Sequence, residues 1–328
     1  MLPYQYVEEP TAAPVTGYAG LFPYLDLVCV LGVLAAVDEK AKVCGEQGWR
    51  ERAFPSPTRL YEWLDEFHDP AQEQHRVEGK AFIPGKNEQL RGLEEVNAAL
   101  VAGVQRHAPA SEATLDIDAT LQETHKREAL YCYQGYRAYQ PVNVYWAQTE
   151  LLVRSQFRDG NVPAGHEILR IVKESLAALP GGIEKVRVRM DSAGYQHEVL
   201  RFMATGDEGR REIIEFSVSN DMTAEFREAA RRVAESEWRP LARKRGEPAQ
   251  QWALVVLAYN LHMALQRLAP PDKLKGKRLK AIRFSLIGLP GRVMERGRQL
   301  FVRLARGHPA LGWLVEMRRK LARLAAPA

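Results

Sequence analysis

The sequence predicts a mixed α/β core between an all-α N-terminal region and a basic, helical C-terminal region. Three observations predict it. Apolar residues recur at helical spacing before residue 111 and after residue 250, but largely alternate at period two in the strands between. That middle interval orders itself as three consecutive strands, then strands alternating with helices. The charge is split as well: residues 273–323 carry fifteen Lys or Arg against only Glu295 and Glu316, in a 328-residue chain of net charge +5. The remainder is therefore net acidic, and a basic end on an acidic body suits a polyanionic partner.

Residues 1–20, with their Pro, Gly and Ala content, predict a loosely ordered start. A helix follows over 24–42, closing near Gly45; its apolar run Leu27–Val37 is shorter than the roughly 20 residues a bilayer span needs. Ser56-Pro57-Thr58 supplies a cap and a first-turn proline for a second helix carrying Leu60, Trp63 and Leu64. The interval from Trp49 to Phe54 between these helices is short. A third helix over 87–107 places Leu90, Leu93, Val96, Leu100 and Val104 on one face.

From residue 111 the period changes. Strands are predicted at 113–118, 129–134 and 139–157, the last straight or bent and closed by the turn Asp159-Gly160-Asn161. A helix over 163–178 stops before Pro180-Gly181-Gly182. Strand 184–190 ends at Asp191; helix 195–204, strand 212–218 and helix 223–236 follow. This is the ribonuclease H-like order, in which the first and fourth strands lie side by side. It therefore predicts that Asp118 and Asp191 meet. Beyond a polar connection at 238–250, an apolar helix over 251–268 is stopped by Pro270-Pro271. Amphipathic helices are predicted in the tail at 277–288, 292–306 and 311–324. The resulting organisation is 1–110, 111–268 and 269–328.

Two carboxylates held within a few Å repel unless a cation lies between them. An open, wet pair suits Mg²⁺ or Mn²⁺, which prefer oxygen ligands. Two such ions can activate an attacking water and stabilise a leaving oxygen in phosphodiester chemistry. Asp118 and Asp191 are the candidates for that role, with Asp116, two residues away on the same strand face, as a second-choice ligand. The alternative for each acid is a turn cap. Cys29, Cys44 and Cys132 have no paired spacing, so neither a disulfide framework nor a zinc knuckle is predicted. His125 reads as a hydrogen-bonded residue beside a hairpin, with DNA or metal contact as its alternative. Tyr131, Tyr133, Tyr136 and Tyr139 read as half-buried sheet surface, with base stacking as theirs. Glu8 and Glu9 near the start, without a basic segment, do not form a secretory signal, so a cytoplasmic protein without a membrane partner is expected.

The run Asp116–Thr120 with Glu123–Tyr133, Gly135 and Ala138–Pro141 resembles bacterial insertion-sequence transposases of the DDE type. Phe157–Gly165, Asp191–Tyr195, Lys280–Arg283 and Leu289–Arg292 extend the resemblance, which spans roughly 80–240 and 251–320. It implies a ribonuclease H-like fold, divalent metal (Mg²⁺ or Mn²⁺), cleavage and strand transfer of double-stranded DNA at element ends, and Asp118 and Asp191 as the first two catalytic acids. The chain departs from the pattern at the third acid. Such transposases carry that Glu on a helix after a long insertion, in a Tyr-Arg-Glu-Lys signature, whereas only 238–250 occupy the interval here. Glu235, Glu237 and Glu247 lie nearby, but none sits in the signature, and no third catalytic Glu is identified. The chain thus reads as an internally deleted, catalytically impaired copy. Lys273, Lys275, Lys277, Arg278, Lys280, Arg283 and Arg292 are the expected phosphate contacts. A second copy or a full-length transposase is the expected protein partner. The rival reading is a DNA-binding remnant or regulator of transposition that does not cut.

Overall fold

The computed structural model describes residues 4–9, 22–37, 70–75, 77, 80–127, 129–205, 214–219, 224–232, 252–277, 279–289, 291–296, 299–305 and 307–325. The helix expected from Ser56 and the three glutamates at 235, 237 and 247 lie outside them.

A five-stranded mixed sheet forms the centre. Its strands are β2 (Glu112–Ala119), β5 (Val142–Trp146), β6 (Leu151–Gln156), β7 (Lys185–Met190) and β8 (Glu215–Val218). The order is β6-β5-β2-β7-β8, with β2 antiparallel to β5 and parallel to β7. The first and fourth strands of the predicted series are thus neighbours at the middle of the sheet. Alternation decides the two faces. Ala113, Leu115 and Ile117 of β2, Val142, Val144 and Trp146 of β5, and Val186, Val188 and Met190 of β7 are all buried. Two helices supply apolar residues to the same core: α5 (Ile168–Ala177), with Ile168, Ile171, Val172 and Leu176, and α6 (His197–Thr205), with Val199 and Met203. Each such aliphatic burial is worth about 1.5–3 kcal/mol.

The other face is polar. Arg187 of β7 bonds Glu112 on β2 at 2.8 Å and Glu215 on β8 at 2.7 Å. Solvent screens exposed pairs of this kind, so their main effect is on strand register.

The outer edge of β6 is closed by two asparagines. α4 (Glu88–His107) begins at Asn87, whose side-chain oxygen accepts from the Leu90 N–H at 2.9 Å. On its buried face Asn97 donates to the Leu152 carbonyl at 3.0 Å. α8 (Trp252–Leu268) brings Asn260, whose carbonyl accepts from the Leu152 N–H at 2.7 Å. The Asn260 amide also donates to the Leu152 carbonyl at 2.7 Å and to the Asn97 oxygen at 2.6 Å. An unpaired edge strand is thereby covered by side chains that reproduce a ladder.

Four predicted elements differ in the structure. Residues 129–134 are not a strand: they carry one bridge, Tyr131 with Arg137, above the short pair β3 (Gln122–Glu123) and β4 (Ala138–Tyr139). The Tyr-rich alternation favours extended backbone, but among the described residues no strand is placed to pair with it. The long strand 139–157 is three strands, β5 and β6 being separated by a turn in which Glu150 takes φ 59°. The loosely ordered start contains β1 (Tyr4–Glu9), so the N-terminal region is not all helical. The tail helix predicted at 292–306 is a hairpin of β9 (Arg292–Arg296) and β10 (Gln299–Ala305), so the C-terminal region is not purely helical either.

These last two corrections have one cause. β1 runs parallel to β10, Tyr4 opposite Leu300, and β9 lies antiparallel on the other side of β10. Val302 and Leu304 are buried at period two, and their pairing overrides the helix propensity of Met, Glu, Arg, Gln and Leu. α1 (Phe22–Val30) and α10 (Ala310–Ala325) pack beside this sheet. Buried Asp26 of α1 accepts from the Tyr4 hydroxyl at 2.6 Å and from Arg318 of α10 at 3.4 Å. The Arg318 guanidinium stacks 3.6 Å from the Tyr4 ring centroid. No helix of the described residues is long and apolar enough to cross a membrane.

α1 and α8 are joined by a buried pair, Tyr24 Oη lying 3.2 Å from His262 Nδ1. Burial pulls the imidazole pKa below its ordinary value, against a smaller opposing bond to the Lys277 backbone. The folded protein therefore holds His262 neutral, while the unfolded chain takes up a proton near pH 6.5. This stabilisation is present above about pH 6.5 and is lost as pH falls through that value toward the lower folded pKa. Urea unfolding at pH 8, 7, 6 and 5 should give a stability that declines below pH 7. The decline should be shallower in His262→Gln; equal slopes in the two proteins would reject the assignment.

Candidate active site at the ends of the central strands

The last paired residues of the two central strands are Ile117 of β2 and Met190 of β7. One step further along each strand stand Asp118 and Asp191. Two residues 73 apart in the chain thus occupy adjacent positions at the same end of the sheet, both exposed to solvent. Each has one oxygen engaged locally. Asp118 Oδ2 accepts from the Thr120 hydroxyl at 2.8 Å, and Asp191 Oδ1 accepts from the Ala193 N–H at 3.0 Å, capping a single 3₁₀ turn over Ser192–Gly194. Asp191 is therefore a turn cap and an open carboxylate at once. The second oxygen of each acid has no partner among the described residues.

Asp116 is placed differently. Its register partner on β7 is Arg189, whose Nη2 donates to Oδ2 at 2.6 Å while Nε donates to Oδ1. Both oxygens of Asp116 are held by one guanidinium, and the Arg189 pKa is raised in turn by that bonding. This fork pins β2 to β7 two residues before the acidic pair. On the other side of Asp116 lies Tyr145 of β5, with Tyr259 of α8 beside it. Burial first, and Tyr259 second, push the Tyr145 phenol above its ordinary value. α8, which brings Tyr259 to this face, contains no Asp or Glu. Among the described residues no group of three or more His, Cys, Asp or Glu converges as a metal cluster.

A cleft of about 870 Å³ opens beside the pair, with Asp191, Ser192, Gly160 and Asn161 among its lining residues. Two loops build its walls. In the first, Arg158 is wholly buried and its guanidinium donates to Gln156 Oε1 at 3.0 and 2.8 Å and toward the carbonyls of Pro163 and Ala164 at 3.5 Å. Burial lowers its pKa to about 10, so the group stays cationic at neutral pH. It has no carboxylate within ion-pair distance among the described residues. In the same loop the Gly160 N–H donates to the Ala138 carbonyl at 2.9 Å. The second loop is Asp191–Tyr195. Gln196 joins the two by donating to the Gly165 carbonyl at 2.6 Å and to the Ala193 carbonyl at 2.9 Å. Arg158, Gly160 and Gln196 are thus structural determinants that period and charge do not reveal. The only sequence signal for the first loop is the run Phe157–Gly165 as a whole.

The basic residues are spread out. Lys273, Lys275, Lys277 and Arg283 are exposed and make no ion pair among the described residues. The side chains of Arg278, Lys280 and Arg292 lie outside the described part. Further along the tail the charge is partly internal: Arg318 serves Asp26, and Lys320 bonds Glu316 at 2.6 Å and lies 3.3 Å from Asp272. His125 is exposed, and no hydrogen bond joins it to another of the described residues.

Comparison with known proteins gives a family and a distant structural neighbour. A sequence profile of the transposase DDE domain, group 1, matches residues 69–252, more than half of the chain. No curated protein matches. A cryo-EM structure of a piggyBac transposase synaptic complex with hairpin DNA aligns at 10% identity and a TM-score of 0.32, covering 92% of this chain. The present chain spans 65% of the length of that transposase chain. The assignment rests on the profile, whose matched residues include the central sheet, both cleft loops and the acidic pair: the chain belongs to the group 1 family of transposase DDE domains.

Proposed function

We propose that this chain acts on the double-stranded DNA ends of an insertion sequence, cleaving and transferring strands with Mg²⁺ or Mn²⁺ held by Asp118 and Asp191. The observation that carries this reading is the parallel register of β2 on β7, which brings the two acids to adjacent strand ends with an open oxygen each. Exposed carboxylates fit a hard, partly hydrated ion. A divalent ion there would supply charge for an attacking water and a leaving phosphate oxygen. Asp116, committed to Arg189, supports the register. Lys273, Lys275, Lys277 and Arg283 are exposed for phosphate contact, and the same role is proposed for Arg278, Lys280 and Arg292.

The proposal includes an internal deletion that has removed the third acid, leaving activity impaired. A second reading, a DNA-binding remnant or regulator that pairs with itself or with a full-length transposase, is favoured by the lack of any acid on α8. One experiment separates them. The full chain is incubated with DNA bearing the element's own ends, with Mg²⁺ or Mn²⁺ or with EDTA, beside Asp118→Ala/Asp191→Ala. Metal-dependent nicks that vanish in the double variant support catalysis by this pair. DNA binding with no nicks in either protein supports the remnant.

A further inference from the structure

Residues 121–127 and 129–140 form an irregular arm beside the cleft; Tyr136 and Tyr139 are half-buried as expected, whereas Tyr131 and Tyr133 are exposed. Tyr131 is 60% exposed and Tyr133 79%, and both line the cleft that contains Asp191. Tyr195, 46% exposed, lines the same cleft from the loop that carries Asp191. Exposed rings of this size on an arm that could have folded flat leave considerable apolar surface in water. The cleft lining carries Asp191, while cations flank the rings along the arm. The Arg137 guanidinium lies 4.7 Å from the Tyr131 ring centroid and is itself fixed by bonds to the Arg127 and Ala129 carbonyls. His125, Lys126 and Arg127 are exposed along the same arm.

The tip is stiffened rather than loose. The Tyr136 hydroxyl donates to Gln134 Oε1 at 2.9 Å, and Gln134 Nε2 donates to the Tyr133 hydroxyl at 3.1 Å. Gly135 takes φ 84° to make the turn, and the Cys132 N–H donates to the Tyr136 carbonyl at 2.9 Å. A pre-ordered ring loses little side-chain entropy on binding a flat partner.

From this arrangement we propose that Tyr131, Tyr133 and Tyr195 form a stacking platform for an unpaired nucleotide of the DNA, held beside Asp191 with its phosphates on the basic arm. Aromatic rings interleaved with Lys and Arg are the combination that binds single-stranded nucleic acid, because every base has a flat face while the cations track the backbone. Bases inside a duplex are already stacked and cannot offer both faces, so the platform selects frayed, flipped or single-stranded segments. The inference rests on the reading of this cleft as the DNA site and adds the state of the DNA that it takes.

The test is direct binding in EDTA at fixed salt, by fluorescence anisotropy with the full chain. The probes are a labelled single-stranded oligodeoxythymidine, a blunt duplex, and the same duplex with an unpaired 3′ extension. Wild type should prefer the extended over the blunt duplex. Tyr133→Ala and Tyr131→Ala should each weaken binding of the single strand by roughly 5- to 150-fold, the range for loss of one base stack, with little change for the blunt duplex. Tyr133→Phe, which keeps the ring and loses only the bond from Gln134, should bind far closer to wild type than Tyr133→Ala. The rings are solvent-exposed, so circular dichroism should remain native in all three. Equal affinity of wild type and both alanine variants for the single strand would overturn the platform, as would equal affinity for the two duplexes. Because the assay runs in EDTA, binding is read without metal-dependent nicking, so absence of nicking and absence of stacking are read separately.

Discussion

Asn260→Leu is expected to lower the unfolding free energy by about 2–6 kcal/mol, among the largest effects of any single polar substitution in the fold. Leucine has the branching and heavy-atom count of asparagine and is the larger of the two, so the loss does not come from a cavity. It comes from the Leu152 N–H and the Asn97 side-chain oxygen, which lose the partners now at 2.7 and 2.6 Å. Each buried group left without a partner costs about 1–3 kcal/mol. The Leu152 carbonyl keeps its bond from Asn97 and adds little. Urea unfolding followed by circular dichroism measures the difference. Asn97→Leu and the double variant complete a cycle, and the two residues should couple by at least 0.5 kcal/mol because they share one hydrogen bond. A single variant within 1 kcal/mol of wild type would show that water replaces the amide at the sheet edge.

Gly160→Val is expected to reshape the cleft and cost about 1–3 kcal/mol in overpacking. A Cβ at this position would lie 2.5 Å from the Ala138 carbonyl oxygen and 3.1 Å from that of Leu130. Both obstacles are backbone, so no side-chain rotation relieves them. The loop must move, and with it the bond from the Gly160 N–H to Ala138 that ties the cleft wall to the tyrosine arm. Gly181→Ala is the control. Its added methyl meets nothing within 4 Å, and its stability should change by less than about 0.5 kcal/mol. Thermal unfolding and single-strand binding of both variants report the result. The valine variant should lose in both assays; native behaviour in both would mean that the wall is compliant.

The central sheet was legible because its signals are local and repeated. β2 and β7 alternate cleanly, each ends at an acid, and the order of hairpins and crossovers makes them neighbours. The acidic pair followed from that order, with no appeal to its surroundings. The partner of Asp116 did not: that Arg189 stands opposite it depends on a register between strands 73 residues apart, which period alone leaves open. The tyrosine arm misled for a different reason. Tyrosine favours extended backbone, but a strand also needs a partner, and β3 and β4 hold only two residues each. The hairpin at 292–305 was misread because its Arg, Glu, Gln and Leu content favours a helix in isolation. Pairing with β1, nearly 300 positions earlier, decides otherwise.

That last pairing sets a timetable for synthesis. A ribosome adds about 5–20 residues per second, so β1 emerges about 15–60 s before β10 exists to receive it. For that period Tyr4 and Tyr6 belong to a strand with both edges open, and unpaired edges invite pairing with another chain. The central sheet, whose strands lie between residues 112 and 218, can assemble meanwhile. The outer sheet closes last, binding the early and late segments of the chain into one unit. Translation speed and chaperone supply should therefore govern the yield of this protein through its first strand.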